Sequence, residues 1–211
     1  MNVLVTGGSG GIGKSIVDLF ISKELSVYSP DRNELNLLNE INLKNRNFDI
    51  IVNCAGINPL NNLLNSNILD VMKINYFSPL EIVKQCLPNM IKNNYGRIIN
   101  IGSIWIDISK PKRLDYSASK NALHTLTKFL TTEYASYNIL SNTISPGFIE
   151  TQLTFKNNSD AEITKIKNDI PLKRLGKPEE IAKLVYQMTI ENEYICGQNI
   201  IIDGGYSCTI H

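Results

Sequence analysis

The chain is expected to fold as α/β, a single domain built on one doubly wound parallel sheet. Three observations lead there. Short apolar runs alternate with longer segments of helical period along all 211 residues, the pattern of repeated strand–helix–strand units. The first run ends in a glycine-rich turn, Thr6-Gly7-Gly8-Ser9-Gly10-Gly11-Ile12-Gly13. The chemistry-bearing residues stand just after an expected strand or on the helix that follows one, where open α/β sheets bind ligands.

Strands are expected over residues 3–6, 25–29, 34–37, 48–53, 97–101, 140–145 and 200–202, each a short apolar run, with 34–37 a weak one. Helices fit residues 11–23, 65–76, 79–92, 115–137 and 178–189. Right-handed crossovers between parallel strands would place helices on both faces of the sheet. No repeat or low-complexity linker interrupts the series.

Composition narrows the function classes. Hydrophobic content of 43% is ordinary for a globular chain, and Lys+Arg 21 against Asp+Glu 20 leaves no basic surface for nucleic acid or anionic membrane. Cys54, Cys86, Cys196 and Cys208 are scattered without a Cys-x-x-Cys pair, and there are only two histidines. A zinc site or disulfide framework is therefore not expected, and no metal is assigned. The chain enters Asn2-Val3-Leu4-Val5-Thr6 with no basic leader, and no run approaches a membrane span. A soluble, cytoplasmic protein is the expectation.

Gly7, Gly11 and Gly13 permit a tight turn that lets a pyrophosphate approach the backbone and the following helix N-terminus. A plain strand-to-helix turn is the alternative. Tyr116 and Lys120 stand four residues apart, on one face of an expected helix, with Ser103 thirteen residues upstream. Of nine tyrosines only Tyr116 has lysine at +4. A fixed cation lowers a tyrosine pKa from about 10, and three units would be worth roughly 4 kcal/mol. Such a phenol is a usable proton donor near neutrality.

In order along the chain these motifs resemble those of the classical short-chain dehydrogenase/reductase family, from Asn2 to about Ser207. Thr6 to Gly13 is similar to that family's Thr-Gly-x3-Gly-x-Gly turn. Asn53-Cys54-Ala55-Gly56 is similar to its Asn-Asn-Ala-Gly element, with cysteine in the second place. Asn75, Ser103, Tyr116 and Lys120 fall where it carries its catalytic tetrad. Pro146-Gly147-Phe148-Ile149-Glu150-Thr151 resembles its nicotinamide-holding segment, and Asp203-Gly204-Gly205 its closing motif.

The resemblance implies a Rossmann-like domain over residues 1–211 that binds NAD(P)(H) and transfers a hydride between nicotinamide and a carbonyl or alcohol carbon. Cofactor contacts would come from Gly7, Ser9, Gly10, Gly11, Ile12, Gly13, Asp31, Arg32, Asn36 and Leu37. Asn53, Ala55, Gly56, Tyr116, Lys120, Pro146, Gly147, Ile149 and Thr151 would complete them. Tyr116 would exchange the proton, Ser103 would hold the substrate oxygen, and Lys120 would lower the tyrosine pKa and hold the nicotinamide ribose. Asn75 would anchor a water on the proton path. Ser103, Trp105, Tyr116 and Phe148 would contact a small-molecule substrate, and the helix carrying Tyr116 would build a homodimer or homotetramer.

Departures from the family pattern are concentrated early. Only residues 31–37 remain where the family usually has a helix between its second and third strands; Asp31-Arg32-Asn33-Glu34-Leu35 is similar to dTDP-4-dehydrorhamnose reductases. Asn36 replaces an aspartate that typically faces adenine, and an amide still accepts from the adenine amino group. Asp31 would bind a ribose 2′-hydroxyl and repel a 2′-phosphate, whereas Arg32 would pair with that phosphate. Gly10 stands where many NADP-dependent relatives carry a basic residue. The balance leans towards NAD(H), with a solvated turn as the alternative for both residues.

Substrate identity is open. Trp105 would stack on a ligand or simply pack, and Lys110, Lys112 and Arg113 would greet an anion or merely face solvent. The charged stretch 165–173 reads as a solvated helix over the pocket. Residues 171–178 resemble 3-oxoacyl-carrier-protein reductases, a stretch that related dehydrogenases share. A nucleotide-binding regulator of the same fold, and a sugar-nucleotide epimerase or dehydratase, stay as alternatives to the oxidoreductase.

Overall fold

The computed structural model describes residues 1–43 and 45–209. Six strands form one parallel sheet: β1 (Asn2–Thr6), β2 (Ser26–Tyr28), β3 (Ile50–Asn53), β4 (Gly96–Ile101), β5 (Ile139–Pro146) and β6 (Asn199–Ile202). Their order is β2-β1-β3-β4-β5-β6. The chain moves outward to β2 and then back across β1, so a crevice opens beyond the carboxyl ends of β1 and β3. β3, β4 and β5 are buried along their whole length, as strands covered on both faces must be.

Strand alternation divides the core. Val3, Val5, Ile50 and Val52 face α1 (Gly11–Ser22) and α7 (Pro178–Tyr186), packing with Ile16, Phe20, Ile181 and Val185. Leu4, Ile51 and Ile98 face the other way, against Ile82 and Met90 of α3 (Ser78–Asn93) and Leu123, Leu126 and Leu130 of α4 (Leu114–Tyr134). Each such fully buried side chain contributes roughly 1.5–3 kcal/mol, so the two layers fix the sheet that carries the site. No helix among the described residues is long and apolar enough to cross a membrane.

Two local expectations differ from the structure. No strand forms over residues 34–37. The Asp31 carboxylate instead accepts from the N–H groups of Asn33 (2.7 Å) and Glu34 (3.0 Å), while Glu34 accepts from Asp31 N–H (3.0 Å). These local bonds turn the chain before it can extend. The helices expected at 65–76 and 79–92 are one continuous run, α2 (Ile68–Met72), a π-helical turn at Lys73–Phe77, and α3. The extra residue of a π turn frequently marks a functional position, and here it presents Asn75.

Candidate active site

A cleft of about 740 Å³ lies beyond β1 and β3. Its walls include Gly7, Ser9, Gly10, Gly11, Ile12, Gly13, Asp31, Arg32, Asn36, Leu37, Ala55, Gly56, Tyr116, Lys120 and Thr151. The glycine turn is shaped by two close approaches. Gly7 sits at φ +73°, and a Cβ there would lie 2.8 Å from the Ala55 Cα; a Cβ on Gly13 would overlap the Gly7 carbonyl oxygen. Thr6 Oγ1 ties the turn to the neighbouring loop by accepting from Cys54 N–H (3.1 Å) and Ala55 N–H (3.2 Å). Gly10 caps α1 without a side-chain hydrogen bond, and no acid stands in the first turn. The amides and dipole of that terminus thus remain available to an anion. Cleft volume and free helix terminus both fit a dinucleotide.

Asp31 and Arg32, the residues expected beside the adenosine, are exposed on the cleft rim. One Asp31 oxygen accepts both N–H groups of its own turn, and the other takes no part in them. Asn36 Oδ1 already accepts from Leu38 N–H at 3.0 Å, so the amide expected to face adenine is engaged in its own turn. Leu37 lines the cleft, and its carbonyl accepts from Ser78 Oγ at 2.6 Å. Asn53 does not line the cleft. It is buried, and its Nδ2 donates to Asn100 Oδ1 at 2.8 Å. In register across the sheet, Thr6, Asn53, Asn100 and Thr143 form a polar row. Asn100 donates to Thr127 and Thr127 meets Thr143, each at 2.8 Å. Reading single motifs misses this row; its signal in the sequence is a polar residue near the end of β1, β3 and β4, at Thr6, Asn53 and Asn100, matched by Thr143 within the polar run Ser141–Thr143 of β5.

A second cavity of about 110 Å³ adjoins the first, lined by Ser103, Trp105, Tyr116, Pro146, Gly147, Phe148, Ile149 and Thr151. Tyr116 borders both cavities. Ser103 caps the 3-10 turn Ile104–Ile106, accepting from Trp105 N–H at 3.3 Å. Burial pushes the Tyr116 phenol up to about 12; a hydrogen bond from Ser103 and the Arg113 charge pull against it. The sequence pointed to Lys120 as the cation lowering that pKa. In the structure the buried Lys120 ammonium donates to the Ile101 carbonyl at 2.7 Å and stands beside the ring, 5.5 Å from its centroid. Burial pushes Lys120 down to about 8.

Asn75 is fully buried, outside the linings of both cavities. Its Nδ2 donates to the Ile57 carbonyl (3.0 Å) and Ser119 Oγ (2.9 Å), and its Oδ1 accepts from Ile57 N–H (2.9 Å). Both amide hydrogens are committed to protein, so Asn75 holds the loop after β3 against α4. Over the small cavity Trp105 and Phe148 meet edge to face, centroids 6.0 Å apart. After the short α5 (Gln152–Lys156) comes α6 (Asp160–Asp169), which takes in the first part of the charged stretch 165–173; Lys165 is exposed, while Ile163 and Ile166 on the same helix are buried against Trp105 and Phe148. Lys110 and Lys112 are exposed, as surface cations are, but Arg113 is buried and lines the small cavity.

Known proteins share this organisation. The family model described as enoyl-(acyl carrier protein) reductase matches residues 25–207. The 3-oxoacyl-[acyl-carrier-protein] reductase FabG of Buchnera aphidicola subsp. Acyrthosiphon pisum is 34% identical, with 95% of each chain covered. A 4-hydroxyisoleucine dehydrogenase mutant complexed with NADH and succinate superposes with a TM-score of 0.92 at 28% identity over 100% of both chains. ElxO with NADP bound gives 0.88 at 27% over 99% of each.

Proposed function

The chain belongs to the classical short-chain dehydrogenase/reductase family of oxidoreductases, and on that premise we propose how its residues divide the work. NAD(P)(H) occupies the large cleft, supplying or accepting a hydride, and a small carbonyl or secondary alcohol occupies the 110 Å³ cavity. The observation that carries this reading is the position of Tyr116 on the wall shared by the two spaces. Its phenol reaches the substrate oxygen from one cavity while its ring flanks the other. Ser103 orients that oxygen. Tyr116 donates the proton in reduction and accepts it in oxidation. Lys120 holds ribose hydroxyls and keeps a positive charge beside the ring. Asn75 positions the loop that faces Lys120.

Both NADH and NADP are found on structural neighbours, which supports NAD(P)(H) as the cofactor pair. Asp31 on the rim, with an oxygen to spare, favours NAD(H). One domain over residues 1–211 holds both cavities, and the protein works in the cytoplasm. Phe129 on α4 is 60% exposed and Phe77 before α3 44% exposed, which supports a homodimer or homotetramer built through these helices. The test is oxidation of NADH and NADPH by purified protein against a panel of small ketones, aldehydes and oxo acids. Loss of reduced-nicotinamide absorbance with a carbonyl supports the reading. Cofactor binding without turnover of any carbonyl would favour a regulator.

A further inference from the structure

Arg113 immediately precedes α4, three residues before Tyr116, and is only 5% exposed. Its guanidinium lies 5.8 Å from the Trp105 ring centroid. Among the described residues its Nη1 is buried without any hydrogen-bond partner, and so is Asn58 Oδ1; both residues line the small cavity. The nearby acid on α4, Asp115, is committed elsewhere, accepting from Ser66 Oγ at 2.6 Å and Asn67 N–H at 3.0 Å. Arg97 is also buried and its Nε has no partner among the described residues, but its Nη1 donates to the Gly96 and Asn138 carbonyls, each at 2.9 Å, and it lines neither cavity; Lys120 donates to Ile101. A buried charged donor without a partner is costly, and the Arg113 Nη1 borders an open cavity where a ligand can supply the missing acceptor.

We propose that the small cavity is a carboxylate site with Arg113 as its anion-binding residue, so the substrate is a short hydroxy acid or the matching oxo acid. This inference rests on the oxidoreductase reading above. A planar guanidinium matches a carboxylate through paired N–H donors. The Asn58 amide, turned over, presents its NH2 as a further donor. The cavity, about 110 Å³, is well below the roughly 300–1,000 Å³ of a drug-sized site, which favours a few-carbon molecule over a long acyl chain. In reduction the substrate's carbonyl carbon gains the hydride, its oxygen takes the phenolic proton of Tyr116, and the phenolate regains a proton from solvent. The carboxylate is unchanged and serves to bind and orient. NAD(P)H is the reductant.

Trp105 is the sole tryptophan of the chain and lies beside Arg113, so its fluorescence reports occupancy directly. Wild-type protein with saturating NAD+ is titrated with butanoate and with the neutral isostere butanamide. A saturable change with butanoate alone is expected, weakened about tenfold or more in Arg113→Gln and partly restored in Arg113→Lys. Equal response to butanamide, or full butanoate affinity in folded Arg113→Gln, would overturn the site; the wild-type comparison decides even if the variants do not fold. Turnover of 2-, 3- and 4-oxo acids is compared with that of their methyl esters. Equal use of acid and ester would overturn the carboxylate site and leave the oxidoreductase standing. Butanoate binding through Arg113 with no reduction of either would uphold the anion site and sink the hydride-transfer reading.

Discussion

The Lys120 ammonium stands 5.5 Å from the centroid of the Tyr116 ring, beside its face, with its hydrogen bond directed to the Ile101 carbonyl. A cation held against a ring face in a buried site is poorly solvated, and burial pushes its pKa from 10.5 down to about 8. The native chain then binds fewer protons than the unfolded chain between about pH 8 and 10.5. Stability therefore rises with pH across that window, and below it the cost of burying the charge is carried in full.

Lys120→Met should remove that dependence. In paired denaturant titrations, wild type should gain on the variant by about 3 kcal/mol as pH rises from about 8 to about 10.5. Tyr116, pushed up to about 12 by burial, stays protonated across this window with or without the lysine charge and so cancels in the difference. A stability gap that stays flat over this range would mean that Lys120 is not buried as a charge.

On the proposed reading, cofactor choice turns on two adjacent rim residues. Asp31 would repel a 2′-phosphate and Arg32 would attract it, so a preference for NADH of only about tenfold, near 1.4 kcal/mol, is expected. Because both residues are exposed, the preference should shrink with added salt. Asp31→Ser should invert it towards NADPH, and Arg32→Ala should sharpen it. The measurement is the NADH/NADPH ratio of kcat/KM in the three proteins. A wild type that prefers NADPH, or a ratio unmoved in Asp31→Ser, would reverse the roles given to these residues.

Asn75→Ala deletes three hydrogen bonds at once and leaves Ile57 N–H, Ile57 O and Ser119 Oγ to find other partners. A loss of roughly 2–4 kcal/mol in unfolding free energy is expected, together with a fall in kcat. A stability loss below about 1 kcal/mol would show that the loop after β3 does not depend on this amide.

Much of this was legible in the chain itself. The parallel sheet followed from apolar runs such as Ile50-Ile51-Val52, and the cleft from glycines spaced around Gly7 and Gly13. The strand expected at 34–37 failed because Asp31 offers the backbone a competing local partner, a choice that apolar pattern does not register. Arg113 was indistinguishable in sequence from Lys110 and Lys112, since all three precede one helix. Only the fold over Trp105 buries the arginine and leaves the lysines outside. The committed bonds of Asn75 and Asn53 likewise depend on partners 18 and 47 residues distant, which no local spacing encodes.

The most direct test of the central claim is Tyr116→Phe, which deletes the transferable proton and little else. With a reducible carbonyl identified, kcat/KM should fall at least about a hundredfold, the usual size of an acid–base contribution. The dissociation constant for NADH, titrated separately, should change by less than about threefold. A variant that keeps more than about a hundredth of wild-type kcat/KM would contradict the assignment of Tyr116 as proton donor, whatever the cofactor affinity.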